Sequence, residues 1–373
     1  MMQEIIELRR QLHRIPELSH RETKTKAVLM EFLRTHTSLP VTDRGSWFYA
    51  YYDCGNPEAE AVAFRADFDA LPIPEPDTLP HHSTHPGRSH TCGHDGHSAA
   101  LAGFACLLEA EKPDRHVYCI FQHAEEVGGG GEACAELIQE KNISRVYAFH
   151  NMSGWPENCI LVRSGITHCA SKGLTIRYVG KTAHASTPED GINPSCAAAE
   201  LTLAVREISA GTFDTMVLAT IVNISVGSKN FGISAADGEI SMTLRSESDA
   251  DMCRLEKEIL EKAESLAAKY GLYMTSEEQD VFPATVNDPL ETKRIRCAAA
   301  ASGLACRELP DPYRASEDFG YYLRRCPGAM FYIGNGEAWP PIHTVGYDFN
   351  DRILPAAVRM FWKLLTAPTE EKG

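Results

Sequence analysis

An interruption in the order of strands and helices is the feature that most restricts the fold of this chain. From residue 46 to residue 150, segments of strand composition largely alternate with helical segments, which is the order of parallel βαβ units. Over residues 172–282 the order becomes β-α-β-β-α-β, which is typical of the split βαβ unit. A helix at 289–303, a strand at 329–335 and a helix at 354–366 then resume the first pattern. We expect an α/β domain with a second, α+β domain inserted into it.

The interruption also predicts the domain boundaries. The first domain should comprise residues 1–170 and 284–373, with a mostly parallel sheet covered by helices on both faces. The inserted domain should comprise residues 171–283 and be ferredoxin-like. A chain of 373 residues is long enough to bury such cores without covalent links.

The charge of the chain restricts its class of partner. It has 51 acidic and 36 basic residues, which gives a net charge of −15. Nucleic acids and anionic membranes attract basic surfaces, so we expect neither as a partner. No apolar run approaches the ~18 residues of a membrane span, and the N-terminus lacks the apolar core of a signal peptide. Twelve scattered cysteines favour a reducing compartment, so we predict a cytoplasmic protein.

The segment SHTCGHDGHSAA (89–100) concentrates metal-binding and ionisable side chains. Cys92 and His94 are two residues apart, which in an extended segment places both side chains on one side. Thiolate and imidazole are ligands of zinc and of neighbouring transition metals. A helix is predicted to begin at Ser98. The histidines just before the segment are expected on a solvated loop: His81, His82 and His85.

A second polar segment, FQHAEEVGGGGE (121–132), follows a predicted strand. Adjacent residues that leave a strand point to opposite sides, so one of Glu125 and Glu126 is expected to bind metal while the other faces a water molecule. The glycines allow a sharp turn after them. For two such glutamates taken alone, a solvated strand end is the alternative.

Further candidates also stand at the ends of predicted strands. Asp69 follows the strand 61–67, His150 closes the strand 145–150, and His343 lies in the late loop PPIHTVG. Ligands of open α/β sheets bind beyond the carboxyl ends of the strands. We therefore expect these side chains to converge on one site: Asp69, Cys92, Glu125, Glu126 and His150.

Six ordered segments resemble those of the M20 metallopeptidase family, in its amidohydrolase branch. They are LRRQLHRIPELSHRE (8–22), RADFDALPI (65–73), HTCGHDGHSA (90–99), FQHAEE (121–126), SEDFGYY (316–322) and the late His343. The branch includes N-acyl-amino-acid hydrolases, auxin-conjugate hydrolases and N-acetyldiaminopimelate deacetylases. The resemblance implies a di-metal catalytic domain, an inserted lid and dimerisation domain, and a homodimer.

The resemblance implies a role for each matching residue. Two divalent ions, whether zinc, manganese, cobalt or nickel, would be bound by Cys92, His94, Glu126, His150 and His343. Cys92 would bridge the ions, with His94 and His150 on one and Glu126 and His343 on the other. Glu125 would be the general base, and Asp69 would orient a ligand histidine. Asp67 stands where many relatives outside this branch have a metal-binding histidine, and it is left out of the ligand set.

The inserted domain would supply three further residues. Within KTAHASTPEDGIN (181–193), His184 would stabilise the tetrahedral oxyanion in the other subunit's active site. A capping histidine of the loop is the alternative. Arg245 and Asn230 would bind the free carboxylate of the substrate. Arg245 is alternatively an ordinary charge on a strand face, and the segment around Asn230 lacks the family's Asn-x-Ile-Pro form.

These roles imply hydrolysis of the amide bond of a small N-acyl amino acid, such as an N-acetyl amino acid, to a carboxylic acid and a free amino acid. A dipeptidase or carboxypeptidase with the same chemistry is an open alternative. Deacetylation of N-acetyldiaminopimelate in lysine synthesis is another. A non-catalytic metal-binding protein is a third, but the presence of Glu125 and of all five ligands argues against it.

Overall fold

The computed structural model describes residues 1–367. Its helices are α1 (Met2–Arg14), α2 (Thr23–His36), α3 (His94–Glu111), α4 (Gly131–Glu140), α5 (Ser195–Ser209), α6 (Asp249–Tyr270), α7 (Pro289–Ala301), α8 (Gly320–Leu323) and α9 (Leu354–Thr366). Its strands are β1 (Val41–Asp43), β2 (Phe48–Tyr52), β3 (Ala61–Asp67), β4 (His116–Gln122), β5 (Arg145–Ser153), β6 (Ile160–Val162), β7 (Gly165–His168), β8 (Ala170–Val179), β9 (Ala183–His184), β10 (Val217–Val226), β11 (Ile233–Ser234), β12 (Asp237–Ser246), β13 (Tyr273–Phe282), β14 (Thr285–Asn287), β15 (Cys306–Glu308) and β16 (Gly328–Gly336). Within residues 1–367, no helix combines the length and apolar composition needed to cross a bilayer.

The described chain divides into two compact units. The first comprises Met1–Thr167, Thr285–Pro312 and the chain from Glu317 onward, and the second comprises His168–Ala284 and Tyr313–Ser316. Residues 368–373, which end the predicted segment 284–373, lie outside the described part.

An eight-stranded sheet forms the centre of the first unit. Its strand order is β1-β2-β4-β3-β5-β16-β6-β15. The central strands β4, β3, β5 and β16 are mutually parallel, and β15 is parallel to β6. β1 and β2 add antiparallel at one edge, and β6 runs antiparallel to β16. The predicted α/β class with a mostly parallel sheet is confirmed.

Helices cover both faces of this sheet. Phe64 of β3 belongs to the core shared with α1, α2, α3, α7 and α9, whereas the adjacent Ala63 belongs to the core shared with α4 and α8. Since side chains alternate along a strand, both faces of β3 are buried, and the whole strand is inaccessible to solvent. This double burial explains why the central strands are almost continuously apolar.

The second unit contains a four-stranded antiparallel sheet of order β10-β12-β8-β13, packed against α5 and α6. Every second residue of β12 is buried, including Ile240, Met242 and Leu244. This alternation leaves one face to the helices and the other to solvent. The chain order β-α-β-β-α-β with β8 and β12 in the centre is the predicted ferredoxin-like arrangement.

Candidate active site

The site residues predicted from the strand ends lie at or near the carboxyl ends of the parallel strands. Asp69 follows β3, Glu125 and Glu126 follow β4, and His150 lies in the second half of β5. Cys92 and His94 lie at the start of α3, which begins four residues before the predicted Ser98. The preceding Gly93 has a φ of 101°, a conformation that glycine adopts without steric cost, and it turns the loop sharply into the helix.

Cys92 lies between two groups of ligand atoms. The thiol sulfur and the ring nitrogens of His94 and His150 lie within 4.8 Å of one another. A second group contains Cys92, Glu126 and His343, with 3.2 Å between Cys92 Sγ and His343 Nε2. His343 Nε2 is 3.6 Å from Glu126 Oε1. These are the two groups that the family resemblance implies, and they share the thiol.

Oxygen atoms fix which nitrogen of each histidine faces this centre. His94 Nδ1 lies 3.1 Å from Asp69 Oδ1 and 3.1 Å from the Asp69 carbonyl oxygen. His150 Nδ1 lies 2.7 Å from the carbonyl oxygen of Asn151. Carbonyl oxygens only accept hydrogen bonds, so Nδ1 carries the hydrogen in both rings and Nε2 is left to bind a metal.

Two buried atoms at this centre test whether a metal fits. Among the described residues, His94 Nε2 and Glu126 Oε1 have no hydrogen-bond partner, and they lie 3.7 Å apart. Buried polar atoms without a partner are costly, so this pair indicates a ligand. Thiolate, imidazole and carboxylate are donors that zinc and neighbouring divalent metals accept. The residues present therefore fit a divalent metal ion.

Glu125 and Glu126 stand on a turn rather than on the end of an extended strand. β4 ends at Gln122, Ala124 has a φ of 49°, and residues 125–128 form a turn. The carboxylates of Glu125 and Glu126 lie 3.8 and 3.7 Å from the same atom, His94 Nε2. The prediction that they point to opposite sides is wrong, because the left-handed residue before them ends the alternation of the strand.

Burial and crowding of the acidic groups at this centre favour their protonated forms. Burial raises the pKa of Glu125 well above its usual range, and the carboxylates of Glu317 and Glu126 raise it further. Burial likewise raises the pKa of the Cys92 thiol, with Glu126 adding to the shift. A bound divalent cation opposes both shifts because it stabilises the carboxylate and the thiolate.

The charge of His94 follows from its carboxylate neighbours. Burial alone would lower its pKa, but Asp67 and Asp69 raise it to about 10. The pKa of His150 is lowered instead, by burial and by the nearby ring of His97. Binding of a metal at His94 therefore requires the ring to lose a proton.

Asp69 connects two of the predicted ligands. Its Oδ1 accepts from His94, while its Oδ2 accepts from the backbone N–H of Glu126 at 3.0 Å and from the hydroxyl of Ser19 at 2.8 Å. One buried carboxylate thus orients the ring of one ligand and the backbone of another.

A buried charge cluster lies around Arg65, next to the ligands. Its guanidinium donates to Asp67 Oδ2 at 2.6 Å, to Asp318 Oδ1 at 2.8 Å and to Gln122 Oε1 at 2.9 Å, and it lies 3.2 Å from Glu317 Oε1. Asp67 contacts Arg65 through Oδ2, while its Oδ1 lies 2.7 Å from His97 Nδ1, and Asp67, His94 and His97 form a further group of possible ligand atoms. The omission of Asp67 from the ligand set stays a prediction. No local sequence pattern indicated this cluster.

Residues of the N-terminal signature also support the site, although the sequence analysis gave them no role. Glu22 Oε1 accepts from the backbone N–H of Ala124 at 2.8 Å, which holds the turn that carries Glu125. Glu17 Oε2 accepts from the backbone N–H groups of Lys24 and Thr25 and so caps α2. Both glutamates lie in the segment PELSHRE and are buried, although His20 and Arg21 between them are exposed.

Replacement of Glu22 by alanine is expected to lower kcat about tenfold or more, because the turn before Glu125 loses its anchor. Burial, together with the Asp69 carboxylate, raises the pKa of Glu22 to about 7, so Glu22→Gln keeps the acceptor at little cost. Steady-state kinetics should show a loss in kcat for the alanine variant and its recovery in the glutamine variant. Glu31→Ala, on the exposed side of α2, is the control. Equal activity of Glu22→Ala and wild type would contradict the anchoring role.

A second buried network holds α1 against the start of α3. Asp95 Oδ2 forms an ion pair with Arg9, at 3.0 Å from its Nε, and accepts a hydrogen bond from His13 Nδ1 at 2.7 Å. His13 Nε2 donates to Glu75 Oε2 at 2.8 Å. His81, expected on a solvated loop, is instead buried with its Nε2 2.8 Å from Arg9 Nη1. That expectation is wrong because the loop folds onto the buried arginine.

This network predicts a pH-dependent stability. Burial and Arg9 alone would lower the pKa of His13, but Asp95 and Glu75 raise it from 6.5 to about 9. The resulting stabilisation is fully present below the unfolded pKa and is lost as the pH rises to about 9. We expect the difference in unfolding free energy between wild type and His13→Gln to fall by on the order of 3 kcal/mol from pH 6 to pH 9.5. Urea denaturation at several pH values measures it, and a constant difference would exclude the protonated ring.

The remaining three predicted site residues belong to the second unit. His184 is exposed on β9, and its Nδ1 lies 2.7 Å from Ser186 Oγ. Asn230 is exposed before β11 and lines a cavity of about 480 Å³ within this unit. Arg245 lies on β12 and donates to Ser316 Oγ at 2.9 Å. Their roles toward a substrate stay predictions.

The sequence and the fold of the chain are similar to those of known proteins. Residues 63–367 match the model of Peptidase family M20/M25/M40. The chain is 28% identical to the N-acetyldiaminopimelate deacetylase of Exiguobacterium sibiricum, over 96% of this chain and 98% of the relative. It is 30% identical to thermostable carboxypeptidase 1 of Saccharolobus solfataricus, over 88% and 85%. The crystal structure of the Bacillus subtilis YXEP protein, a dinuclear metal-binding peptidase, matches with a TM-score of 0.82 and 25% identity, over 98% and 97%.

Proposed function

Because the chain belongs to the peptidase family M20/M25/M40 and is a metal-dependent hydrolase of amide or peptide bonds, we propose that its substrate is a small N-acyl amino acid. Hydrolysis would release a carboxylic acid and a free amino acid. The convergence of Glu125 and the ligand atoms on His94 Nε2 carries the proposal, since it puts a buried carboxylate beside the metal-binding atoms. The deacetylase among the relatives supports the substrate class.

The proposed ligands of two divalent ions are Cys92, His94 and His150 for one ion and Cys92, Glu126 and His343 for the other. Bound ions of this kind polarise an amide carbonyl and lower the pKa of water. The soft thiolate favours zinc, but manganese, cobalt and nickel accept the same donors. The fixed Nε2 atoms of His94 and His150 support this ligand set.

Glu125 is the proposed general base. Its carboxylate would take the proton of the attacking water and deliver it to the departing nitrogen. Burial and neighbouring carboxylates already favour its protonated form, which suits the second of these transfers. Asp69 would hold His94 and the backbone of Glu126 in place while the proton moves.

A homodimer through the second unit is also proposed. β10 is an edge strand of its sheet, and edge strands offer unpaired backbone groups to another chain. Three large apolar side chains are exposed on β10 and the adjacent α5: Leu203, Val222 and Ile224. Within the dimer, His184 would stabilise the oxyanion in the partner subunit's site, since Ser186 holds its Nδ1 and leaves Nε2 available.

A mixing experiment tests the action of His184 across the dimer. His184→Ala and Glu125→Gln should each be nearly inactive alone. Subunit exchange between them should restore about a quarter of wild-type activity, because each mixed dimer would contain one complete site. No restoration in dimers shown to exchange would refute the role in the partner's site. Wild-type activity of His184→Ala alone would refute any catalytic role.

Arg245 and Asn230 are the proposed ligands of the substrate's free carboxylate. A guanidinium matches a carboxylate in geometry, and Arg245 Nη1 already engages Ser316. A cytoplasmic location is proposed as well, because all twelve cysteines are free in the structure.

A substrate panel tests the whole proposal. The enzyme would be stripped of metal, reloaded with zinc, manganese, cobalt or nickel, and assayed for release of amine from N-acyl amino acids and dipeptides. Metal-dependent turnover of N-acyl amino acids is expected. Preference for dipeptides would favour the alternative function of a peptidase, which the carboxypeptidase relative supports. Preference for N-acetyldiaminopimelate would specify the substrate, and no turnover with any metal would overturn the proposal.

A further inference from the structure

A second cluster of metal-binding side chains lies at the other end of the same sheet. His116 begins β4, whereas Glu125 and Glu126 follow the opposite end of that strand. β2 runs antiparallel to β4 and pairs Tyr52 with Val117. The residues just after β2 therefore reach His116, and they include Asp53 and Cys54. We call Asp53, Cys54 and His116 the edge cluster.

The three donor atoms of the edge cluster lie within 4.8 Å of one another. Cys54 Sγ lies 3.8 Å from His116 Nδ1, and Asp53 Oδ1 lies 3.3 Å from the same nitrogen. Bonds of about 2.0–2.3 Å around a tetrahedral zinc ion put its ligand atoms roughly 3.3–3.8 Å apart. The two distances to Nδ1 fall in this range, so one ion can contact all three atoms after rotation of the Cys54 side chain.

The histidine of this cluster is held in the tautomer that binding requires. His116 Nε2 lies 2.8 Å from the carbonyl oxygen of Asn56. A carbonyl only accepts, so Nε2 carries the hydrogen and the lone pair of the neutral ring is on Nδ1. Cys54 Sγ lies 3.8 Å from Nδ1 and 3.9 Å from Nε2. The hydroxyl of Tyr51 donates to Nδ1 at 2.9 Å, and an ion would displace this hydrogen bond.

Solvent has access to the edge cluster. The side chain of Asp53 is 63% exposed and that of His116 is 13% exposed, while Cys54 is half-buried. An ion can reach the site from water, and a water molecule can supply the fourth ligand. The catalytic ligand set uses none of these residues.

We propose that Asp53, Cys54 and His116 form a separate site for a thiophilic divalent cation of the zinc class. The ion would bond to Cys54 Sγ, His116 Nδ1 and Asp53 Oδ1, and the thiol proton would pass to water. Calcium and magnesium prefer all-oxygen shells, so they are not expected there.

Alkylation of Cys54 tests this site directly. The metal-loaded enzyme would be treated with iodoacetamide, with and without a small excess of zinc, and each cysteine would be quantified by peptide mass spectrometry. We expect zinc to slow alkylation of Cys54 about tenfold, since a coordinated thiolate is a poor nucleophile. The exposed Cys196 and Cys297 serve as internal references, and magnesium serves as the metal control.

Two variants make the result specific. His116→Ala should abolish the protection by zinc, and Asp53→Asn should weaken it, with circular dichroism showing that both variants are folded. An unchanged Cys54 rate in zinc would overturn the proposal. Protection that persists in His116→Ala would also overturn it, because the thiol alone would then account for binding. Exchange of zinc into the catalytic centre does not affect this readout, since Cys92 is buried and is quantified separately.

Discussion

Glu125→Gln is expected to lower turnover about a thousandfold or more while metal content stays unchanged. Glutamine keeps the size and the polar contacts of the side chain, but it cannot accept the proton of a water molecule. Glu125 is 6% exposed and its carboxylate faces His94 Nε2, so bulk water cannot replace it as a base. Steady-state assays and metal analysis of the same preparation measure both quantities.

Two further variants serve as controls for this experiment. Glu126→Gln should lose metal as well as activity, because Glu126 is a proposed ligand. Glu132→Gln, an exposed change in the first turn of α4, should affect neither. If Glu125→Gln turned over substrate at nearly the wild-type rate, Glu125 would not be the base.

Arg65→Met should strongly destabilise the fold at neutral pH. Arg65 is 1% exposed and contacts three buried carboxylates: Asp67, Glu317 and Asp318. Burial alone would lower the pKa of Arg65, but these carboxylates raise it well above its usual range. Removal of the cation would leave their charges without a partner, which costs about 3–5 kcal/mol or more.

The yield of soluble protein and the urea unfolding midpoint measure this effect. Arg177→Met is the matched control, since Arg177 also contacts two carboxylates, Glu239 and Glu277, but on the surface. The control should cost less than about 1 kcal/mol because solvent screens exposed pairs. Equal midpoints for the two variants would show that the buried cluster adds nothing to stability.

Strong periodicity made most of the fold predictable from the sequence. The apolar central strands and the β-α-β-β-α-β order identified both sheets, because each element is long enough to show its pattern. Seven short strands were missed: β1, β6, β7, β9, β11, β14 and β15 have two to four residues each, too few for a period to be seen. The start of α3 was misplaced because HDGH has a loop-like composition, although its polar side chains are buried around the site.

The residues proposed to bind metal were more predictable from the sequence than the residues that hold them in place. Cys92, His94 and Glu126 are recognisable by residue type and spacing, but the partners that orient them come from distant segments. Glu22 bonds to Ala124 across 102 positions of the sequence. No local sequence pattern indicates such a pairing. The turn at Ala124 depends on a positive φ, which an alanine in the sequence does not predict.

The position of β16 in the sheet has a consequence for synthesis on the ribosome. This strand lies between β5 and β6, yet the chain supplies it only after the second unit has been completed. A nascent chain that has passed residue 284 contains Cys92, His94, Glu126 and His150 but lacks both β16 and His343. Most of the second unit has then been synthesised, while the sheet of the first unit still lacks a central strand. Closure of the sheet and completion of the ligand set therefore become one late event, reached only when residues 328–343 have emerged.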